Sequence, residues 1–185
     1  MATRAAARPL AQLPNALTVF RLVLIPVFIW VLLVDGDNGY SRPAAIIFAT
    51  AGITDQLDGW LARRWRVESQ FGKVADPLAD RLMIDAAVIL LFLEDRLPWV
   101  ALALIVGRDF LLVAGYKPLV ARGYDFSVSF LGKLATWVLY ASIALVMVTR
   151  EGTDWPLWLF WGGVALAVAA GALYVTKAAR EVNLR

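Results

Sequence analysis

The chain has 185 residues, 61% of them hydrophobic, and a mean hydropathy of +0.67, which is more apolar surface than a soluble domain of this length can hide from water. It contains no cysteine and no histidine, which excludes disulfides, zinc–thiolate centres and imidazole acid–base chemistry and leaves any metal to oxygen ligands, the preference of magnesium, manganese or calcium. The formal charge of +3 fits an anionic membrane surface, and the hydropathy turns that basic excess away from nucleic acid.

A membrane-spanning helix takes about 20 mostly apolar residues, and six segments meet that length, near 15–34, 43–62, 74–93, 98–120, 128–149 and 155–177. The predicted fold is an all-α integral membrane bundle of six transmembrane helices, one domain over residues 1–185. Residues 1–12, with Arg4 and Arg8, read equally as a short interfacial helix or as a basic tail. Pro14-Asn15 opens the first span, with Asn15 placed to cap a helix start. That apolar run is too long for a cleaved signal peptide and lacks a small-residue cleavage site. Turn chemistry separates the spans: Asp35-Gly36-Asp37-Asn38-Gly39 after the first, Glu94-Asp95-Arg96 with Pro98 after the third, and Glu151-Gly152-Thr153-Asp154 after the fifth. In this arrangement Arg4, Arg8, Arg63, Arg64, Arg66, Lys73, Lys117, Arg122, Lys177, Arg180 and Arg185 fall on one side, against Arg42, Arg96 and Arg150 on the other. The bias predicts a multi-pass protein of the cell membrane with both termini in the cytoplasm.

The second span ends on Asp55-Gln56-Leu57-Asp58-Gly59 and the third begins on Asp76-Pro77-Leu78-Ala79-Asp80. On helices, spacings of three and four place each pair of carboxylates on one face. The intervening loop is read as about a dozen residues, so the two spans are expected to be antiparallel neighbours with four acids converging at their cytoplasmic ends. A single Asp at the bilayer centre costs roughly 2.5–3.5 kcal/mol, and less towards the interface. Four unpaired acids call for compensation, and carboxylate oxygens suit two bound divalent cations, Mg²⁺ or Mn²⁺, an arrangement used in phosphoryl displacement. The bland alternative pairs these acids with Arg63, Arg64 and Lys73. Gly59 and Gly72 favour the first reading, because a backbone without Cβ lets a phosphate or a helix come close. Arg63, one turn beyond Gly59, is placed to hold a diphosphate.

Taken together, Asp55-x2-Asp58-Gly59-x2-Ala62-Arg63-x8-Gly72-x3-Asp76-x3-Asp80 resembles the motif of the CDP-alcohol phosphatidyltransferases at every fixed position. Leu13-Pro14-Asn15-Ala16-Leu17-Thr18 with Arg21 and Pro26, Phe71-Gly72, and Ser129-x2-Gly132-Lys133 look like the phosphatidylglycerophosphate synthase and cardiolipin synthase branches. The resemblance implies a six-helix bundle, often a homodimer, with a polar cavity open to the cytoplasm. It implies that Asp55, Asp58 and Asp76 hold a di-metal centre and that Asp80 is both ligand and general base. Gly59, Ala62, Arg63 and Gly72 would line the pocket for CDP-diacylglycerol. The implied reaction passes the phosphatidyl group to a small alcohol and releases CMP.

The acceptor is expected to be bound by Arg108, Lys117, Ser129 and Lys133, whose charges suit glycerol 3-phosphate. Arg108 also reads as an internal pair with Asp109, Lys133 as a snorkelling or paired lysine, and Lys117 with Arg122 as an ordinary positive loop. Asp85 reads as a partner of Arg81, one turn away. Where the phosphatidylglycerophosphate synthase pattern has Arg-Glu and a further Arg, this chain has Arg108-Asp109 and Tyr116-Lys117, which looks closer to cardiolipin synthase with phosphatidylglycerol as acceptor. Glycerol 3-phosphate stays first and phosphatidylglycerol is the alternative. A small transporter is the rival of another class. It predicts charges spread through several spans and an internal repeat, whereas here the acids gather at one edge.

Overall fold

A computed structural model describes residues 7–65, 70–121 and 130–183, with side chains at 16–54, 79, 81–111, 130–173 and 176. Six α-helices follow in chain order: α1 (Ala7–Asp35), α2 (Arg42–Trp65), α3 (Gln70–Leu93), α4 (Trp99–Ala121), α5 (Phe130–Val148) and α6 (Trp155–Asn183). The described residues contain no strand, only an isolated bridge between Asp37 and Tyr40. The all-helical fold and the helix count agree with the apolar runs. Ala16–Asp35, Phe130–Val148 and Trp155–Leu173 are long and apolar enough to cross a membrane.

Two boundaries correct the reading of the sequence. The first helix starts at Ala7, so Asn15 lies inside it and does not cap it. Pro9 falls in the first turn, where a missing N–H costs nothing, and Pro14 removes one ladder hydrogen bond without ending the helix. The α2–α3 connection is also shorter than a dozen residues. α2 continues to Trp65 and α3 already begins at Gln70, which adds Arg63 and Gly72 to the helices that carry Gly59 and Asp76. Pro77 is consequently interior to α3 and leaves the Lys73 carbonyl without its ladder donor, between the two acid positions.

The helices pack around small residues. Ala44, Ala45 and Ala51 on α2, Ala87 on α3, Ala101 on α4 and Ala135 on α5 are buried and let the backbones approach, as in membrane bundles. α5 and α6 form the most extensive pairing, and α2 lies between α1 and α5 while α3 touches α1 and α4. Phe28, Phe48 and Tyr140 cross from α1 through α2 to α5, with ring centroids 5.5 and 4.8 Å apart. The outer surface is apolar: Leu33, Val34, Phe110, Leu111 and Trp158 are exposed, a surface suited to lipid. Trp99, Trp155 and Trp158 sit exposed at the starts of α4 and α6, where an aromatic belt belongs.

At Gly52, α2 lies against the Tyr140 ring of α5. A Cβ there would lie 2.6 Å from Tyr140 Cδ1 and 2.9 Å from Cε1, against a ring already wedged on Phe48. Gly52→Val is expected to destabilise the protein by about 2 kcal/mol through overpacking. That corresponds to a fall of about 4–8 °C in the melting temperature of the detergent-solubilised protein. An unchanged melting temperature would contradict this packing.

One end of the bundle is tied shut. Arg96, in the α3–α4 turn, donates from Nη1 to the Asn38 carbonyl at 3.2 Å and from Nη2 to the Val146 and Thr149 carbonyls, both at 2.8 Å. It thereby joins the α1–α2 turn to the C-terminus of α5, where orphan carbonyls and the helix dipole favour a cation. Ser41 donates its backbone N–H to the Met147 carbonyl at 2.9 Å, donates its hydroxyl to Asp35 at 2.8 Å, and accepts from the Ala44 N–H as the cap of α2. Gly39 adopts a φ of 71° directly over the Arg96 side chain, where a Cβ would meet Cγ at 2.8 Å. The turns after α1, α3 and α5 therefore meet at one end, and successive helices alternate in direction.

Candidate active site

That closed end serves as a ruler for the acidic positions. Thirteen residues separate Asp55 from the start of α2 at Arg42, and thirteen separate Asp80 from the end of α3 at Leu93. Asp58 and Asp76 are sixteen and seventeen residues from the same points. At 1.5 Å per residue, all four positions lie about 20–25 Å from the closed end. Two antiparallel helices in contact thus carry the four acids at a common depth, towards the end opposite the Arg96 clamp. The side chains of Asp55, Asp58, Gly59, Ala62, Arg63, Gly72, Asp76 and Asp80 lie outside the described ones.

The donor set at these positions is all carboxylate, on a chain with no thiol or imidazole, and such a set fits oxygen-liganded Mg²⁺ or Mn²⁺. Arg21 stands fourteen residues before the end of α1, again about 21 Å from the closed end, and is fully buried, as is Thr18 one turn earlier. Its charge therefore sits at the depth of the acids. In the sequence Arg21 counts only as part of the opening motif, yet an arginine inside an apolar span is itself a signal of function.

Among the expected acceptor contacts, Arg108 lies half-buried in the middle of α4 and does pair with Asp109, 2.6 Å from its Oδ1. Lys133 is exposed in the first turn of α5. Lys117 lies on α4 with its side chain outside the described ones, and Ser129 lies outside the described residues. Arg81 does not pair with Asp85 as its spacing predicts. It crosses to α4 and meets Asp109 Oδ1 at 3.2 Å, and Asp85 Oδ1 is left buried without a hydrogen-bond partner among the described residues. Arg81, Asp109 and Arg108 thus form a cluster that local spacing cannot reveal, because its link spans 28 positions.

Residues 11–169 match the family model of CDP-alcohol phosphatidyltransferase. A probable phosphatidylglycerophosphate synthase of Mycobacterium tuberculosis is 35% identical over 183 residues, covering 94% of this chain and 85% of its own length. A CMP-forming cardiolipin synthase of Streptomyces coelicolor is 35% identical over 193 residues, with 98% and 89% covered. The CDP-diacylglycerol–glycerol-3-phosphate 3-phosphatidyltransferase of Bacillus subtilis is 32% identical over 182 residues, with 90% and 94% covered.

Proposed function

The chain belongs to the CDP-alcohol phosphatidyltransferase family, and from that premise we propose that it transfers the phosphatidyl group of CDP-diacylglycerol to glycerol 3-phosphate, releasing CMP. The observation that carries this reading is the common depth of Asp55, Asp58, Asp76 and Asp80 on two antiparallel helices. All six helices cross the cell membrane in this reading. The clamped end faces outward, and the acids line a polar cavity open to the cytoplasm where both termini lie. The excess of Lys and Arg at that end supports the orientation.

Asp55, Asp58, Asp76 and Asp80 hold two divalent cations, which when bound neutralise the diphosphate and stabilise the departing CMP. Gly59 and Gly72 let the CDP diphosphate approach the helix backbones, and Ala62 keeps that wall low. Arg63 holds phosphate oxygens through its planar fork. The acceptor hydroxyl attacks the phosphorus that carries diacylglycerol. A P–O bond forms to the acceptor, the P–O bond to CMP breaks, and the Asp80 carboxylate takes the hydroxyl proton. Arg108, Lys117, Ser129 and Lys133 form the acceptor side of the cavity and supply charge to an anionic alcohol.

The second reading is cardiolipin synthesis with phosphatidylglycerol as acceptor. It is favoured by Arg108-Asp109 and Tyr116-Lys117 on α4 and by the likeness to the Streptomyces enzyme. A transporter is disfavoured by the gathering of the acids at a single depth. The purified protein, given CDP-diacylglycerol with Mg²⁺ or Mn²⁺, is expected to release CMP on addition of glycerol 3-phosphate and not of inositol phosphate. Release with phosphatidylglycerol alone selects the second reading. No release with any of the three would sink the assignment.

A further inference from the structure

Two guanidiniums share one buried carboxylate immediately beside the acid-bearing stretch of α3. Arg108 donates to Asp109 Oδ1 from Nε at 2.8 Å and from Nη2 at 2.6 Å, and Arg81 donates to the same oxygen from Nη1 at 3.2 Å. The Asp109 side chain is 3% exposed, while those of Arg108 and Arg81 are 20% and 29% exposed. The anion therefore sits behind and the cations in front. Arg81 directly follows Asp80 on α3, so its backbone lies one residue from the candidate metal positions.

A purely structural ion triad inside a bundle would satisfy itself, because an unmet buried donor or acceptor is costly. This one does not. Each guanidinium has five N–H donors, and only three donors of the two groups reach Asp109. Asp109 Oδ2 and, one turn along α3 from Arg81, Asp85 Oδ1 are buried with no hydrogen-bond donor among the described residues. Guanidiniums that are partly exposed, beside buried carboxylate oxygens that have no donor among the described residues, complement a ligand that carries both anionic oxygens and hydroxyls. A glycerol phosphate ester is such a ligand, and two guanidinium forks match its phosphate geometry. Gly171 of α6 faces Arg108, with Cγ 3.9 Å from where a Cβ would stand, so the arginine has room beside that helix.

We propose that Asp109 is a positioning residue that holds Arg81 and Arg108 side by side as a two-guanidinium clamp for the phosphate of the acceptor, an inference that rests on the phosphatidyltransferase reading. Arg81 thereby becomes a second phosphate contact beside Arg108. The carboxylate fixes both planes from behind, so the clamp is assembled before the acceptor arrives.

The test compares wild type, Asp109→Asn and Asp109→Glu in CMP release, with glycerol 3-phosphate and phosphatidylglycerol as separate acceptor arms. Asp109→Asn is expected to raise KM for the active acceptor at least about tenfold, while KM for CDP-diacylglycerol stays within about twofold. Asp109→Glu is expected to recover most of the loss. Thermal stabilisation of the wild type by the acceptor alone, without the CDP lipid, is expected to vanish in Asp109→Asn. An unchanged acceptor KM, or equal rises in both KM values, overturns the clamp while leaving the family reaction intact. If Asp109→Asn does not fold, Arg81→Gln carries the same comparison, and an unchanged acceptor KM there overturns it equally. A wild type that releases CMP with neither acceptor removes the parent reading, and the clamp falls with it.

Discussion

Asp80→Asn is expected to reduce CMP release by at least about a thousandfold while leaving the protein folded in the membrane. The substitution keeps the shape and one oxygen of the side chain but removes its charge and its capacity to accept a proton. Loss of a general base alone costs about a hundredfold to ten-thousandfold. In the proposed site the same carboxylate also ligates a cation, so the two losses fall together. The helix should be unaffected, because position 80 is interior to α3 with thirteen residues following it, and Asn carries only a few tenths of a kcal/mol of helix penalty. Activity in membranes, the amount of membrane-bound protein and the melting temperature are measured on one preparation. Full activity would refute the base role, and loss of the protein from the membrane would assign the residue to folding.

The helices themselves were legible because lipid imposes a length on apolar runs, and turn residues such as Asp37-Asn38-Gly39 interrupt those runs plainly. Their ends were less so. Pro14-Asn15 read as the opening of the first span, yet the helix already runs from Ala7, because proline only weakens a ladder without ending it. The acids at 55, 58, 76 and 80 stood out because contacts within a helix are written in spacings of three and four. Contacts between helices carry no such code. Arg96 read as one of three basic residues outside the cytoplasm, while its carbonyl acceptors lie 50 to 58 positions away. Arg81 shows the limit most clearly. Local spacing offers it Asp85, four residues on, and tertiary packing gives it Asp109. No rule of helix periodicity could choose between them, since the choice depends on how α3 is rotated against α4.

Removing divalent cations is expected to abolish CMP release, by at least about a hundredfold, with recovery on adding Mg²⁺ or Mn²⁺. Activity alone does not separate cations bound by the protein from cations bound by the nucleotide, so the decisive measurement is stability. Four carboxylates at one depth repel one another unless cations lie between them. In chelator, Asp58→Asn is therefore expected to melt above the wild type, because one repelling charge is gone. In millimolar Mn²⁺ the order should reverse. The wild type gains stability from binding, about 2.7 kcal/mol when the cation stands at a hundred times its dissociation constant, and the variant, missing a ligand, gains less. If Asp58 were instead paired with Arg63, Arg64 or Lys73, the variant would melt below the wild type in both solutions, since removing one member of a partly buried pair strands the other. The crossing of the two melting orders thus distinguishes a metal-binding cluster from a set of ion pairs, and it does so without substrate, detergent-sensitive turnover or knowledge of the acceptor.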